Sequence, residues 1–283
     1  MNWLTYRQHR VEVAVLLAVA IGLVAMVLIL VHFRVELGID QFRAFRMGLY
    51  VIPALVAVFL GGPFFAREFE HGTHRLAWTQ GITRLHWMLS KLGLVALAVV
   101  AAGLLFAVVG GQGLNLMPGH GGGSFFAFDL QGPAVVSYFV CAFAVGAAFG
   151  AIIRRIVPSM AAALVIFVGI RVLVENLLRP YYLPPLVQQS FDPLPADAWA
   201  LGQHFVAASG AELSQDAVNG LLNHFNGQED LGAYLTANGV TMHWLYQPAE
   251  RYWLFQSIEA VIFTTLALAL VLIAVWLVRR RPA

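Results

Sequence analysis

The chain has 283 residues, 60% of them hydrophobic and only 11% charged. Soluble domains carry about 25% charged residues, so this composition excludes a soluble globular protein: there is too little polar surface to face water. A net charge of +2, with Lys91 the only lysine, gives no polybasic tract for nucleic acid. The single cysteine, Cys141, excludes a disulfide framework or thiolate metal cluster within one chain. What remains is an all-α polytopic membrane protein.

A bilayer core needs roughly 20 apolar residues per helix. Six stretches qualify, at 11–33, 48–65, 92–109, 134–153, 159–178 and 255–278. Residues 1–10 form an interfacial lead-in. The first stretch is too long for a signal-peptide core, so it is expected to stay as the first span. The second is interrupted by Pro53 and by Gly61-Gly62-Pro63, which membrane helices tolerate when neighbours re-satisfy the backbone. Residues 66–91 then concentrate Arg67, Glu68, Glu70, His71, His74 and Arg75 next to a span. Within them Gly72 and Gly81 bracket about two helical turns, with Thr73 placed to cap the start.

Past the third span, residues 110–133 read as a Gly-rich loop without Lys or Arg. Ala142, Gly146 and Gly150 put small residues at four-residue intervals on the fourth span, which permits close helix approach within the chain or between chains. Residues 34–47 and 154–158 read as short turns. The long segment 179–252 opens with Pro180, Pro184, Pro185, Pro193 and Pro195, then offers helical stretches near 212–225 and 229–237. The second of these is closed by Asn238-Gly239. These features predict a small external helical cap between spans five and six.

Six spans place both termini on one side. That side collects eleven basic residues, including Arg7, Arg10, Arg154, Arg155 and Arg279–Arg281, against six on the other, among them Arg171, Arg179 and Arg251. Basic residues favour the cytoplasm, so both termini are expected there. Ionisable groups at membrane depth are functional by default. Arg171 and Glu175 stand one turn apart in the fifth span and Glu259 lies in the sixth, so Arg171 could pair with either acid, as packing or as a gate. The spacing of His71 and His74 is not the His-Glu-x-x-His pattern that holds zinc on one helix face, and no metal site is expected. The run His120-Gly-Gly-Gly resembles a lipase oxyanion loop, but no Gly-x-Ser-x-Gly elbow exists for it to serve.

The run Ala66-Arg-Glu-Phe-Glu-His-Gly-Thr-His-Arg-Leu-Ala-Trp-Thr-Gln80, followed by Arg84, Trp87 and Lys91, resembles the permease subunits of type-2 ABC exporters, especially actinobacterial-type ones. Tyr246-Gln-Pro-Ala-Glu-Arg-Tyr-Trp-Leu-Phe-Gln256 with Ile258-Glu259, and the lead-in Trp3–Arg10, fit the same family. The resemblance implies that 66–91 holds a coupling helix seated on a separate ATPase. Trp78, Thr79 and Gln80 would make contact, and Arg67, Glu68, Glu70 and Arg75 would form an electrostatic collar. On the residues alone, the same helix could be an interfacial anchor with Trp78 at headgroup depth. The resemblance further implies two copies of the ATP-binding subunit, carrying ATP and Mg, and a second permease copy or paralogue in a bacterial cell membrane. No Gly-x-x-x-x-Gly-Lys-Ser/Thr run occurs, so nucleotide hydrolysis is expected on the partner. The expected substrate is hydrophobic or amphipathic: an antibiotic, lipid or peptide. Rival readings are a sensor or immunity protein binding a ligand through its external cap, and a membrane enzyme.

Overall fold

A computed structural model describes residues 14, 18, 21–22, 25–30, 32–33, 39–72, 84–113, 125–195, 197–225, 227 and 230–280. Among these residues, five helices are long and apolar enough to cross a membrane: Met47–Glu70, Met88–Gln112, Pro133–Ile153, Ile156–Tyr181 and Ala249–Arg279. The first expected span falls largely outside the described residues; within it, 25–30 are helical. The chain divides into two compact units. One comprises Met1–Gly122, Ala127–Arg179 and Trp253–Ala283, the other Gly123–Phe126 and Pro180–Tyr252.

In the helical unit, α1 (Ile39–Leu55) passes through a π-helix at Val56–Gly61 into α2 (Gly62–Glu70). The expected turn at 34–47 is therefore helical from Ile39 onward. Neither Pro53 nor Gly61-Gly62-Pro63 ends the helix. Pro63 occupies the first turn of α2, where a missing N–H costs little, and the π-helix absorbs the break. The third and fourth helices are α3 (Arg84–Gly113) and α4 (Pro133–Ile153). Only Arg154 and Arg155 separate α4 from α5 (Ile156–Leu173), with Arg154 at φ 63° and its N–H on the Gly150 carbonyl. A second π-helix, Val174–Leu178, extends α5, and α8 (Tyr252–Arg280) closes the chain.

α4 is the central helix, buried on nearly every face and packed by α2, α3, α5 and the first π-helix. Its small residues make this possible. A Cβ on Gly146 would fall on the Ala57 carbonyl oxygen and on Gly61, and one on Gly150 would come 2.7 Å from the Gly62 carbonyl oxygen. The small-residue stripe of the fourth span is thus used within the chain, against the Gly61-Gly62 pair of the second. Phe64 packs edge-on against Phe143 (5.1 Å between ring centroids) beside this contact.

The second unit corrects the expectation of a helical cap. It contains a three-stranded antiparallel sheet, in the order β1 (Leu186–Gln189), β3 (Val240–Gln247), β2 (Trp199–Ala207), with the short helices α6 (Gln215–Leu222) and α7 (Leu231–Ala237) between β2 and β3. The helical stretches at 212–225 and 229–237 suggested an all-helical cap, yet 240–247 is rich in the β-branched and aromatic residues that favour strands. The two helices fall where expected. Their starts are set by Ser214 and Asp230, whose side chains accept from the N–H groups of Ala217 and Ala233. Gln247 donates to the carbonyls of Pro180 and Leu183 while Arg251 donates to that of Pro184, so the Gln-Pro-Ala-Glu-Arg run holds down the proline-rich segment.

Gly146→Ala is expected to lower the melting temperature of the detergent-purified protein, by a change equivalent to about 1–3 kcal/mol of overpacking. Gly169→Ala on α5, where a Cβ meets nothing within 4 Å, should leave it unchanged or raise it.

Candidate functional site

Among the described residues, two buried polar clusters occupy the helical unit. The first lies where α4 and α8 begin and α5 ends. The turn before α4 places Asp129, and the end of the α5 helix carries Arg171 and, eight residues on, Arg179. α4 supplies Tyr138 and α8 supplies Glu259, which is fully buried. Arg179 is the centre. Its Nε donates to Glu259 Oε2 at 2.8 Å, and its Nη2 donates to Glu259 Oε1 at 2.7 Å and Asp129 Oδ1 at 2.6 Å. Arg171 Nη2 donates to Asp129 Oδ1 at 3.0 Å, and its Nη1 stands 3.6 Å from Glu259 Oε1. The Tyr138 hydroxyl donates a hydrogen bond to Glu259 Oε1 at 2.6 Å, and the Arg171 guanidinium covers the Tyr138 ring at 3.6 Å.

Two cations and two carboxylates thus neutralise one another in a setting where a lone charge is costly. Burial alone would raise the Asp129 carboxyl, but the charges of Arg179 and Arg171 and the hydrogen bonds from both hold it well below the usual carboxylate range. Gln256, one turn before Glu259, secures the same corner. Its Oε1 accepts from Ala134 N in the first turn of α4, and its Nε2 donates to the Phe128 carbonyl. A Cβ on Gly132 (φ 79°) would come 2.7 Å from that Oε1, so the turn needs glycine for both conformation and space.

Of the sequence candidates here, Arg171 and Glu259 come together, whereas Glu175 takes the hydroxyl proton of Tyr50 from α1. Asp129, Arg179 and Tyr138 were missed. A signal was available: Arg171 and Arg179 against Glu259 leaves one cation unbalanced, and Asp129 is the acid next to the fourth span.

The second cluster sits at the other end of α4. The Ala66–Glu70 run continues α2 and is not a separate surface segment. Arg67 and Glu70 face outward, and the Glu70 carboxylate accepts from Ile156 N at 2.7 Å, capping the start of α5. Glu68 does not belong to an outward-facing collar. It lies one helical turn from Phe64 and Phe65, so it faces the bundle, where its Oε1 meets Lys91 Nζ of α3 at 2.7 Å. Lys91, 1% exposed, also donates to the Phe64 carbonyl at 2.8 Å and lies 4.5 Å above the Phe64 ring. Gly72 has φ 69°, a left-handed helix stop, and the His71 ring nitrogen Nδ1 pairs with the Arg67 carbonyl oxygen. Thr73, His74, Arg75, Trp78, Thr79, Gln80 and the 120–124 run lie outside the described residues. Among the described residues no group of three or more metal-ligating side chains converges.

Residues 29–179, more than half of the chain, match the model of a family described as ABC-2 membrane transporter related. No curated protein and no solved structure matches the chain.

Arg179→Met removes the shared donor of both carboxylates. It should cost roughly 3–5 kcal/mol, the usual penalty for stranding buried charge, and more than Arg171→Met, both measured as melting temperature in detergent. Exchanging Arg171 and Glu259 should not restore stability, because an arginine at 259 would face Arg179.

The depressed Asp129 makes the pH dependence explicit. Its contribution is complete above the unfolded carboxyl value of about 3.9 and is lost as pH falls below that toward the folded value. Melting temperature against pH should therefore drop more shallowly below about pH 4 for Asp129→Asn than for the native chain.

Proposed function

Because the chain belongs to the ABC-2 membrane transporter related family, we propose that it is the permease subunit of an exporter driven by a separate ATP-binding-cassette protein. It is a multi-pass membrane protein, and its family implies an ATP-binding partner. The observation that carries the reading is the extent of the family match, which runs from the second expected span to the fifth and includes the connection at 71–83.

In this reading residues 66–91 face the cytoplasm and present Trp78, Thr79 and Gln80 to the ATPase, with Thr73 capping the contact helix and Arg67, Glu70 and Arg75 around it. Two ATPase copies, holding ATP and Mg, close on nucleotide. Their closure shifts the equilibrium between states of two permease halves, because ATP binds the closed form more tightly. The Arg171–Arg179–Asp129–Glu259 cluster holds the far end of each half together. The spans offer few fixed charges beyond these paired ones, which suits a hydrophobic or amphipathic substrate.

Purification of the tagged chain from its own membranes tests this. An ATP-binding subunit should co-purify, and Trp78→Ala should weaken that complex by about 30-fold, the scale of an interfacial aromatic worth ~2 kcal/mol. Failure of any ATP-binding subunit to co-purify sinks the function; a complex indifferent to Trp78→Ala sinks the contact residue alone. Substitution of Glu68 or Glu70 is a less clean probe, since both carboxylates serve contacts inside the chain.

A further inference from the structure

The Glu68–Lys91 pair has no part in binding a partner, because both side chains are buried. Its position gives it another task. Glu68 lies in the last turn of α2 and Lys91 near the start of α3, and the segment between them is the one that the proposed function seats on the ATPase. Lys91 grips α2 at two points, the Glu68 carboxylate at 2.7 Å and the Phe64 carbonyl at 2.8 Å, one helical turn apart. The Phe64 ring, 4.5 Å from the ammonium, covers this contact. On the other side of α2, Glu70 accepts from Ile156 N, so the same helix end is tied to the start of α5.

Separating a buried carboxylate from a buried ammonium strands two charges in a medium of low dielectric, which costs several kcal/mol. We propose that Glu68 and Lys91 are positioning residues that make the ends of α2 and α3 one mechanical body. A displacement of residues 71–83 by an ATP-binding subunit then passes into both helices and is not absorbed by the two ends moving apart. The proposal rests on the reading of the chain as an ATP-driven permease.

The test uses the complex with its ATPase, Cys141 replaced by Ser, and spin labels on outward-facing positions. One pair, at His71 and Leu89, reports the α2–α3 separation; a second, at His71 and Ile152, reports α2 against α4. In the native complex ATP with vanadate should change the 71–152 distance and leave the 71–89 distance fixed. In Glu68→Gln/Lys91→Met, which removes both charges and so avoids stranding either, the 71–89 distance should become nucleotide-dependent. ATP hydrolysis should then persist with a diminished change at 71–152. Lys91→Arg, which keeps the charge, should restore the native pattern.

A 71–89 distance that stays fixed in the double variant overturns the brace while leaving the permease reading intact. So does a 71–89 distance that already moves with nucleotide in the native complex. Absence of any ATP-binding subunit from the preparation overturns both.

Discussion

The constraint on which this molecule depends is the neutralisation of charge inside a bundle of apolar helices. A guanidinium, ammonium or carboxylate can be held there only against an opposite charge with its hydrogen bonds met. Among the described residues the chain meets that demand at two places, and each placement fixes elements distant in sequence. Arg179 reaches Asp129 across 50 residues and Glu259 across 80, joining the end of α5, the turn before α4 and the start of α8. Lys91 and Glu68 join α3 to α2 in the same way. Because an unpaired partner is so costly, these contacts set which helix ends are neighbours and leave the apolar faces to fill the space between them.

What fills that space is small. α4 turns Gly146 and Gly150 toward Gly61 and Gly62, and the approach is so close that no side chain fits between. The π-helix at Val56–Gly61 belongs to the same arrangement. It inserts one residue into the second helix, and the glycine pair at its end meets the glycines of α4. A second π-helix, Val174–Leu178, carries Glu175, whose carboxylate takes the Tyr50 hydroxyl from α1. Among the described residues, both π-helices thus carry a contact to another helix.

How much of this was legible follows from what each kind of signal measures. Apolar length located the spans that the described residues contain, because hydropathy needs no partner to be read. The four-residue repeat of Ala142, Gly146 and Gly150 announced a close contact, though not with what. Arg179 was read as a loop residue because Pro180 follows it, and Asp129 as part of a glycine-rich turn. Neither lies on a periodic face, so only the charge balance of the whole bundle could have paired them. Arg171 and Arg179 also entered the count of outward basic residues, although both are buried against acids. Glu68 was read as surface because its neighbours Arg67 and Glu70 are; only the continuation of the helix through 70 turns it inward. The sheet escaped notice because its strands are far apart in sequence, although 240–247 carries β-branched and aromatic residues that favour a strand.

The placement of the two charged clusters bears on which motions this bundle permits. The first includes Tyr138 of α4, and the second lies just past the stretch of α2 that meets Gly150, 12 residues and about 18 Å on along a helix rising 1.5 Å per residue. Between them α2 and the π-helix meet α4 through a dry contact of glycine, alanine and phenylalanine, with no charged pair among the contacts that define it. Sliding α3 away from α2, or α8 away from α5, requires charges to separate and is opposed by several kcal/mol. The Gly61–Gly146 contact of the π-helix and α4 is made by van der Waals packing alone, whereas the end of α2 is tied to α3 and α5 by Glu68 and Glu70. The buried ion pairs therefore fix which helix ends stay together, while the glycine contact between them is held by packing alone.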